Sequence, residues 1–196
     1  ASGRGVVVAL PHTGNYDLAG AWLVHMGHPF TTVAERLRPE SLFERFVAYR
    51  EGLGMEVLPL TNRDGGSARA FATLARRLRE GRPVCLPAER DLTDSGVEVV
   101  FFGAKTRMAP GPAALAVQTG AALLPAVLWF EGDGWGGRVY DEIPVPAEGT
   151  RKEKIAIMTQ RMAEAFEQGI AEHPEDWHML QRVWLDDFEP TRGGVP

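Results

Sequence analysis

The stretch Gly5-Val-Val-Val-Ala-Leu10-Pro11-His12-Thr13-Gly14-Asn15-Tyr16-Asp17 decides the fold. Its first part, residues 5–10, is a continuous apolar and mostly β-branched run, which is typical of a strand buried on both faces. Its second part is a polar loop, and a helix is predicted over residues 17–26. Because a strand buried on both faces needs helices packed against it, this stretch indicates an α/β domain.

The same alternation of strands and helices continues along the chain. Further strands are predicted over residues 30–34, 55–60, from 84, 97–102 and 121–130. Helices are predicted over residues 40–51, 71–78, 113–119 and 155–170, with a last short helix over 176–185. This pattern favours a central, largely parallel β-sheet flanked by helices. With no internal repeat and no linker, residues 1–196 are predicted to form a single domain, and the early core strand suggests a longer chain with a preceding helical segment.

The composition limits the kind of protein and its partners. The chain has 196 residues, 44% of them hydrophobic, and a net charge of −5. This charge gives no indication of a nucleic-acid partner. The single cysteine, Cys85, excludes an internal disulfide framework, and the longest apolar run, residues 121–130, is too short to span a bilayer. We expect a monomer.

His12 and Asp17 are the first candidate catalytic residues. They lie in the loop that follows a predicted strand, where the active sites of open α/β sheets are found. On such a loop, the Asp17 carboxylate could accept the Nδ1 proton of His12 and leave Nε2 free as a base. The alternative is that Asp17 only caps a helix and that His12 is structural.

Glu35 and Arg50 are candidate binding residues. Glu35 follows the predicted strand 30–34. Arg50 continues the apolar stripe of its helix and should therefore point inward, where an arginine normally has a carboxylate or anionic partner. The alternatives are a structural ion pair between Glu35 and Arg50, or an arginine that reaches solvent.

A second polar cluster follows the strand at residue 84. Glu89-Arg90-Asp91 is expected to face the same cleft as His12, and His178 in Trp177-His178-Met179 is a weaker candidate for substrate contact. Packing of a terminal helix is the alternative for His178.

Metal and covalent catalysis are not indicated by the sequence. His25 and His28 lie at a helix end without a matching set of carboxylates or cysteines, so no metal site is predicted. Cys85 lies inside a predicted strand, where a thiol is usually inert. The chain also lacks a Gly-x-Ser-x-Gly nucleophile elbow.

Four segments of the sequence carry a resemblance to known enzymes. His12-x-x-x-x-Asp17 after an apolar strand resembles the signature of the glycerolipid acyltransferase superfamily. Phe101-Phe102-Gly103, the segment 107–127 and the segment 173–184 are similar to the bacterial lipid A biosynthesis (lauroyl/myristoyl) acyltransferases. Within that family, residues 12–17 and 89–92 look most like the members that acylate phosphatidylinositol mannosides in mycobacteria.

The resemblance implies a fold and an activity. It implies the glycerolipid-acyltransferase-like sheet and direct transfer of a palmitoyl-type chain from acyl-CoA to a mannose hydroxyl, with no other cofactor. His12 would be the general base, oriented by Asp17. A glycolipid acceptor would make the protein peripheral to the cytoplasmic face of the bacterial plasma membrane. The side chains that would bind the acceptor are Glu35, Arg50, Glu89, Arg90 and His178.

One departure from the superfamily bears on the acceptor. The wider superfamily more often has Pro-Glu-Gly where this chain has Ala88-Glu89-Arg90. This difference disfavours a glycerol-phosphate acceptor. A sugar headgroup fits better, because a carboxylate accepts several hydroxyl hydrogen bonds.

Three other functions are considered. A lipid A type acyltransferase is the alternative within the family, and an inactive lipid-binding module is the alternative from another class. Intact His12 and Asp17 argue against an inactive module. A nucleotide-binding domain is disfavoured because no glycine-rich phosphate loop follows the first strand.

Overall fold

Strands and helices alternate through most of the structure, a computed structural model that describes residues 3–60, 66–91 and 96–188. Two 3₁₀ turns, Pro174–Asp176 and Leu185–Phe188, follow the last helix. The strands and helices are, in chain order, β1 (Val6–Leu10), α1 (Tyr16–His25), β2 (Thr31–Glu35), α2 (Glu40–Gly52), β3 (Glu56–Leu60), α3 (Gly66–Arg79), β4 (Val84–Pro87), β5 (Val97–Phe101), β6 (Ala104–Met108), α4 (Gly111–Thr119), β7 (Ala122–Glu131), β8 (Gly134–Val139) and α5 (Arg151–Glu172).

Six strands form the central sheet, in the order β3-β2-β4-β1-β7-β8. All neighbours pair in parallel except β7 and β8, and β5 and β6 form a separate antiparallel hairpin. The predicted α/β architecture with a largely parallel sheet is therefore confirmed. β6 and β8 were not predicted from the sequence. The three glycines of β8 weaken its strand pattern, whereas the charged residues at alternate positions of β6 are typical of a half-buried strand.

The two faces of the sheet are covered differently. Val7, Ala9 and Leu86 point to one face, where they join the main core with α3, α4 and α5. A smaller cluster around Phe30 and Met55 lies on the other face, beneath α1 and α2. Side chains that alternate along a strand point to opposite faces, so the residues between those of the main core face α1 and α2.

The segment after α5 is a correction to the predicted terminal helix. Residues 176–185 run from the first 3₁₀ turn to the second without an α-helix. Trp177 forms a β-bridge with Thr13, and Trp184 forms one with Thr106. These tertiary hydrogen bonds take up the backbone groups that a helix would have used, and they tie the segment to the loop after β1 and to the hairpin.

A polar cluster at the start of β3 joins three elements. Glu56 accepts hydrogen bonds from the Thr31 hydroxyl at 2.6 Å and from Arg77 Nε at 2.8 Å. The hydrogen bond from Arg77, together with the Thr31 hydroxyl and the nearby positive charges, lowers the pKa of Glu56 from 4.5 to about 2, against the opposing effect of burial. The ionised carboxylate therefore links β2 and α3 through β3.

We expect this cluster to make stability depend on acidity. A carboxyl group whose pKa falls on folding stabilises the protein above its unfolded pKa, and this stabilisation is lost as the pH falls through the folded pKa. The stability advantage of wild type over Glu56→Gln should be full at pH 6, shrink below pH 4.5 and vanish near pH 2. Urea unfolding across this range measures it, with Glu98→Gln as the control for an exposed ion pair. A constant difference at every pH would contradict the prediction.

None of the helices in the part of the chain that is described combines the length and apolarity needed to cross a membrane.

Candidate active site

The register of β1 and β4 brings two polar residues together. Leu10 of β1 pairs with Pro87 of β4, and the Ala88 amide donates to the Leu10 carbonyl at 3.0 Å. His12 and Glu89 each follow these paired positions by two residues. Because parallel strands end at the same edge of a sheet, both residues enter the crevice at the carboxyl ends of the strands.

His12 is held by Glu89 at two atoms. Glu89 Oε1 accepts the His12 backbone N–H at 3.1 Å and lies 2.5 Å from the imidazole Nδ1. The Glu89 side chain has no exposed surface, whereas that of His12 is 19% exposed. A proton on Nδ1 leaves Nε2 as the acceptor on the imidazole. The arrangement can therefore remove a proton from a substrate hydroxyl.

The predicted contact between His12 and Asp17 is wrong, because Nδ1 of His12 meets Glu89 and the Asp17 carboxylate binds Arg50. Arg50 Nε donates to Asp17 Oδ1 at 2.7 Å, and both side chains are largely buried. Burial lowers the pKa of Arg50, but the hydrogen bond and the charge of Asp17 raise it above its ordinary value. Asp17 lies in the first turn of α1, which directs its side chain toward α2 rather than back to the histidine.

The same ion pair shows that the predicted alternative for Arg50, an ion pair with Glu35, is wrong. The arginine points inward as predicted, but its carboxylate partner is Asp17 and not Glu35. Its guanidinium also lies 5.7 Å from the ring centroid of Tyr16, within the range of a cation–π contact. The Tyr16 ring in turn meets the His12 ring edge-on at 5.8 Å, so Tyr16 connects the ion pair to the histidine.

A cavity of about 590 Å³ opens beside His12, between the sheet and helices α1 and α2. This volume is within the usual range for a ligand pocket. Apolar side chains such as Phe30, Phe43 and Met55 line much of it. The polar and charged side chains in its wall are His12, Tyr16, Asp17, Thr32, Glu35, Arg50, Arg90 and Arg138. An apolar cavity with a few polar groups fits a ligand that is mostly hydrocarbon with a polar end.

Only some of the remaining predicted binding residues line the cavity. Glu35 and Arg90 line the cavity. Glu89 is completely buried and contacts His12, so the prediction that it touches substrate is replaced by a role in positioning His12. The His178 side chain is exposed and is not part of the cavity wall, although its backbone N–H donates to the His12 carbonyl at 2.8 Å. Substrate contact by His178 stays a prediction.

The loop of residues 11–15, here called the His12 loop, is pressed against β7. Gly14 has φ +53°, and a Cβ atom there would lie 2.8 Å from the Leu128 carbonyl carbon. The Thr13 N–H donates to Pro11 and the Gly14 N–H donates to Asp176. Both amides are therefore already used within the protein and are not free to donate to a substrate.

Gly14→Ala should be strongly destabilising for two separable reasons. A positive φ costs an L-residue about 1–2 kcal/mol, and overpacking against backbone costs about 1–3 kcal/mol more. Gly27→Ala is the matched control, because Gly27 also has a positive φ but would meet no atom within 4 Å. We expect urea unfolding to give a loss of about 2–5 kcal/mol for Gly14→Ala and about 1–2 kcal/mol for Gly27→Ala. Equal losses would show that the contact with β7 is unimportant.

Cys85 lies in the cavity wall but is not suited to covalent catalysis. Burial raises the pKa of its thiol to about 12. Since the thiolate is the nucleophilic form, the group is inert near neutral pH, as the sequence predicted. His12 is therefore the better candidate for the reacting group.

Residues 1–186 match the family described as bacterial lipid A biosynthesis acyltransferase. The chain belongs to this family. A phosphatidylinositol mannoside acyltransferase of Mycolicibacterium smegmatis is 58% identical over 191 residues, which is 97% of this chain and 60% of that relative. A phosphatidylinositol mannoside acyltransferase of Mycobacterium tuberculosis strain H37Rv is 58% identical over 192 residues, which is 98% of this chain and 58% of that relative. The chain thus spans about three fifths of the length of these curated relatives.

The family resemblance seen in the sequence is therefore confirmed, and the predicted enzyme class, an acyltransferase, is that of the family and of these relatives. Some site residues were missed by the sequence reasoning. Tyr16 contacts the His12 ring, Thr13 joins the His12 loop to Leu128 of β7, and Arg138 lines the cavity. Tyr16 and Thr13 could have been suspected from their place beside His12. No local signal marks Arg138, which comes from β8.

Proposed function

We propose that this protein transfers a fatty acyl chain from acyl-CoA to a mannose hydroxyl of a phosphatidylinositol mannoside. The single observation that carries the chemistry is the His12 imidazole, which borders the cavity while the buried Glu89 carboxylate holds Nδ1. The names of the two relatives support the acceptor. The donor, the palmitoyl-type chain and the absence of any other cofactor come from the family resemblance.

The proposed reaction is a direct transfer. His12 Nε2 takes the proton of the acceptor hydroxyl while that oxygen attacks the thioester carbonyl carbon. The tetrahedral intermediate then collapses with cleavage of the carbon–sulfur bond, and the imidazolium returns the proton to the leaving CoA thiolate. Glu89 keeps Nδ1 protonated and its negative charge stabilises the imidazolium. Atoms and charge balance without a covalent enzyme intermediate.

The cavity supports a division between donor and acceptor. Its apolar wall beneath α1 and α2 suits the acyl chain, because burial of each methylene group contributes about 0.8 kcal/mol. Glu35, Arg50 and Arg90 are proposed to contact the acceptor, since all three line the same cavity as His12. Carboxylate and guanidinium groups can form hydrogen bonds with sugar hydroxyls.

The test of this function is acyl transfer from labelled palmitoyl-CoA by the full-length protein. Phosphatidylinositol mannosides, a lipid A precursor and water serve as acceptors, each beside a His12→Ala reaction. A labelled mannoside that is absent with the variant supports the proposal. Label on the lipid A precursor alone would move the assignment to a lipid A type acyltransferase. Label on no acceptor would leave the inactive lipid-binding module.

We also propose peripheral attachment of the monomer to the cytoplasmic face of the plasma membrane, because the proposed acceptor is a membrane lipid. Leu18 and Trp22 of helix α1 and Met26 directly after it support this, because these half-exposed apolar side chains form a stripe at helical spacing. Flotation of full-length protein with anionic liposomes tests it. A Trp22→Ser, Met26→Ser variant should float less than wild type, and equal flotation would contradict a role for this stripe.

A further inference from the structure

We infer that Asp176 is a positioning residue for His12, because its carboxylate and its backbone together fix the His12 loop against β7. This inference rests on the proposed function, in which His12 is the base. Asp176 lies in the 3₁₀ turn after α5 and is 8% exposed. A carboxylate is seldom buried without a specific partner.

The partner is an otherwise unpaired edge of β7. The pairing of β1 with β7 ends at Ala9 and Pro125, whereas β7 continues to Glu131. Beyond that point, the N–H groups of Leu128 and Phe130 project from one edge of the strand, since residues two apart along a strand share an orientation. A buried N–H without an acceptor would be costly.

Two side chains accept these N–H groups. The Thr13 hydroxyl accepts from Leu128 at 3.2 Å, and the Asp176 carboxylate accepts from Phe130 at 2.8 Å. Thr13 is itself part of the His12 loop and is 1% exposed. The loop and the turn after α5 are therefore fixed side by side on the same edge of β7.

Two backbone hydrogen bonds also join residues 176–178 directly to the His12 loop. The Asp176 carbonyl accepts from Gly14 N–H at 3.1 Å, and the His178 N–H donates to the His12 carbonyl at 2.8 Å. These two bonds flank the β-bridge between Thr13 and Trp177. The main chain of His12 is consequently held at its carbonyl by the turn and at its N–H by Glu89.

This arrangement has a consequence for catalysis. The contact between Nδ1 and Glu89 depends on where the His12 loop sits, and a displacement of about 1 Å can cost a catalytic site a hundredfold in rate. The charge-assisted bond from Phe130 to Asp176 is stronger than a neutral one. Loss of this acceptor would free both the turn and the loop from β7.

The experiment compares Asp176→Ala, Asp176→Asn and Glu175→Ala in the full-length protein. Glu175 is the exposed neighbour in the same turn. For Asp176→Ala, we expect kcat for acyl transfer to fall about tenfold to a hundredfold, with the KM for palmitoyl-CoA changed by less than about twofold. Asp176→Asn should restore most of the activity, because an amide oxygen can still accept from Phe130 N–H. Glu175→Ala should match wild type.

A second measurement does not depend on turnover. The ¹⁵N signals of the His12 imidazole report its tautomer, and they are assigned by their absence from His12→Gln. We expect these signals to change in Asp176→Ala and to match wild type in Asp176→Asn and Glu175→Ala. If wild type transfers no acyl chain, the proposed function fails, and the imidazole signals still decide the role of Asp176.

The inference is overturned if folded Asp176→Ala keeps both the wild-type kcat and the wild-type His12 signals. If Asp176→Ala does not fold, Thr13→Val removes the hydroxyl that accepts from Leu128 N–H of β7, and Thr13→Ser keeps that hydroxyl. Altered His12 signals in Thr13→Val but not in Thr13→Ser would support the inference that attachment of the His12 loop to β7 positions His12. Unaltered signals in both would overturn it.

Discussion

Replacement of His12 with alanine is expected to lower kcat for acyl transfer by about 10²–10⁴-fold, the usual contribution of a general base. The imidazole is the only group in the cavity wall, among the described residues, with Nδ1 fixed by a buried carboxylate and a second ring nitrogen left to accept a proton. The KM for palmitoyl-CoA should change by less than about twofold, because the apolar wall stays intact.

Initial rates with a phosphatidylinositol mannoside acceptor measure this effect. His28→Ala is the matched control, since His28 is exposed and lies between α1 and β2. Thermal unfolding of each variant separates lost chemistry from lost structure. Wild-type turnover by folded His12→Ala would exclude general-base catalysis by this residue.

Glu89→Gln is expected to lower kcat/KM by about 10²–10⁴-fold, by analogy with loss of the carboxylate that orients the histidine of a catalytic triad. A glutamine has nearly the same shape but no charge, and its amide N–H₂ can face Nδ1 and favour the wrong tautomer. Without the carboxylate, the imidazolium is less stabilised. Initial rates with a phosphatidylinositol mannoside acceptor measure the loss.

Asp17→Asn distinguishes the two carboxylates. If Glu89 orients His12, Asp17→Asn should lower kcat/KM far less than Glu89→Gln does, because the Asp17 carboxylate binds Arg50. It should lower activity only through the altered wall of the cavity. A larger loss of kcat/KM in Asp17→Asn than in Glu89→Gln would contradict the assignment and would return Asp17 to the orienting role.

Local sequence signals were sufficient for most of the fold. The β-branched run before His12 predicted β1 and its burial, and helical spacing predicted α2 and α5. The terminal helix was wrong, because Trp177 and Trp184 form bridges to residues more than seventy positions away. Such long-range hydrogen bonds leave no periodicity in the local sequence.

The site was predictable residue by residue but not contact by contact. His12, Glu35, Arg50 and Arg90 were correctly expected at one crevice, because each follows a strand or faces inward on a helix. The pairing of His12 with Glu89 was not, since nearness along the chain favoured Asp17. No local pattern marks Asp176, because the partner of its carboxylate is the unpaired edge of β7, which only the fold brings near.

The sequence by itself determined the alternation of strands and helices, the candidate histidine and the enzyme family, since these depend on local patterns and motifs. The tertiary structure decided which carboxylate serves that histidine. The order of the sheet places β4 directly beside β1, so Glu89, 77 residues away in the chain, lies 2.5 Å from Nδ1. Asp17, five residues away, enters α1 and turns toward Arg50. Strand order is set by how the helices cover both faces of the sheet, and that is a property of the whole fold.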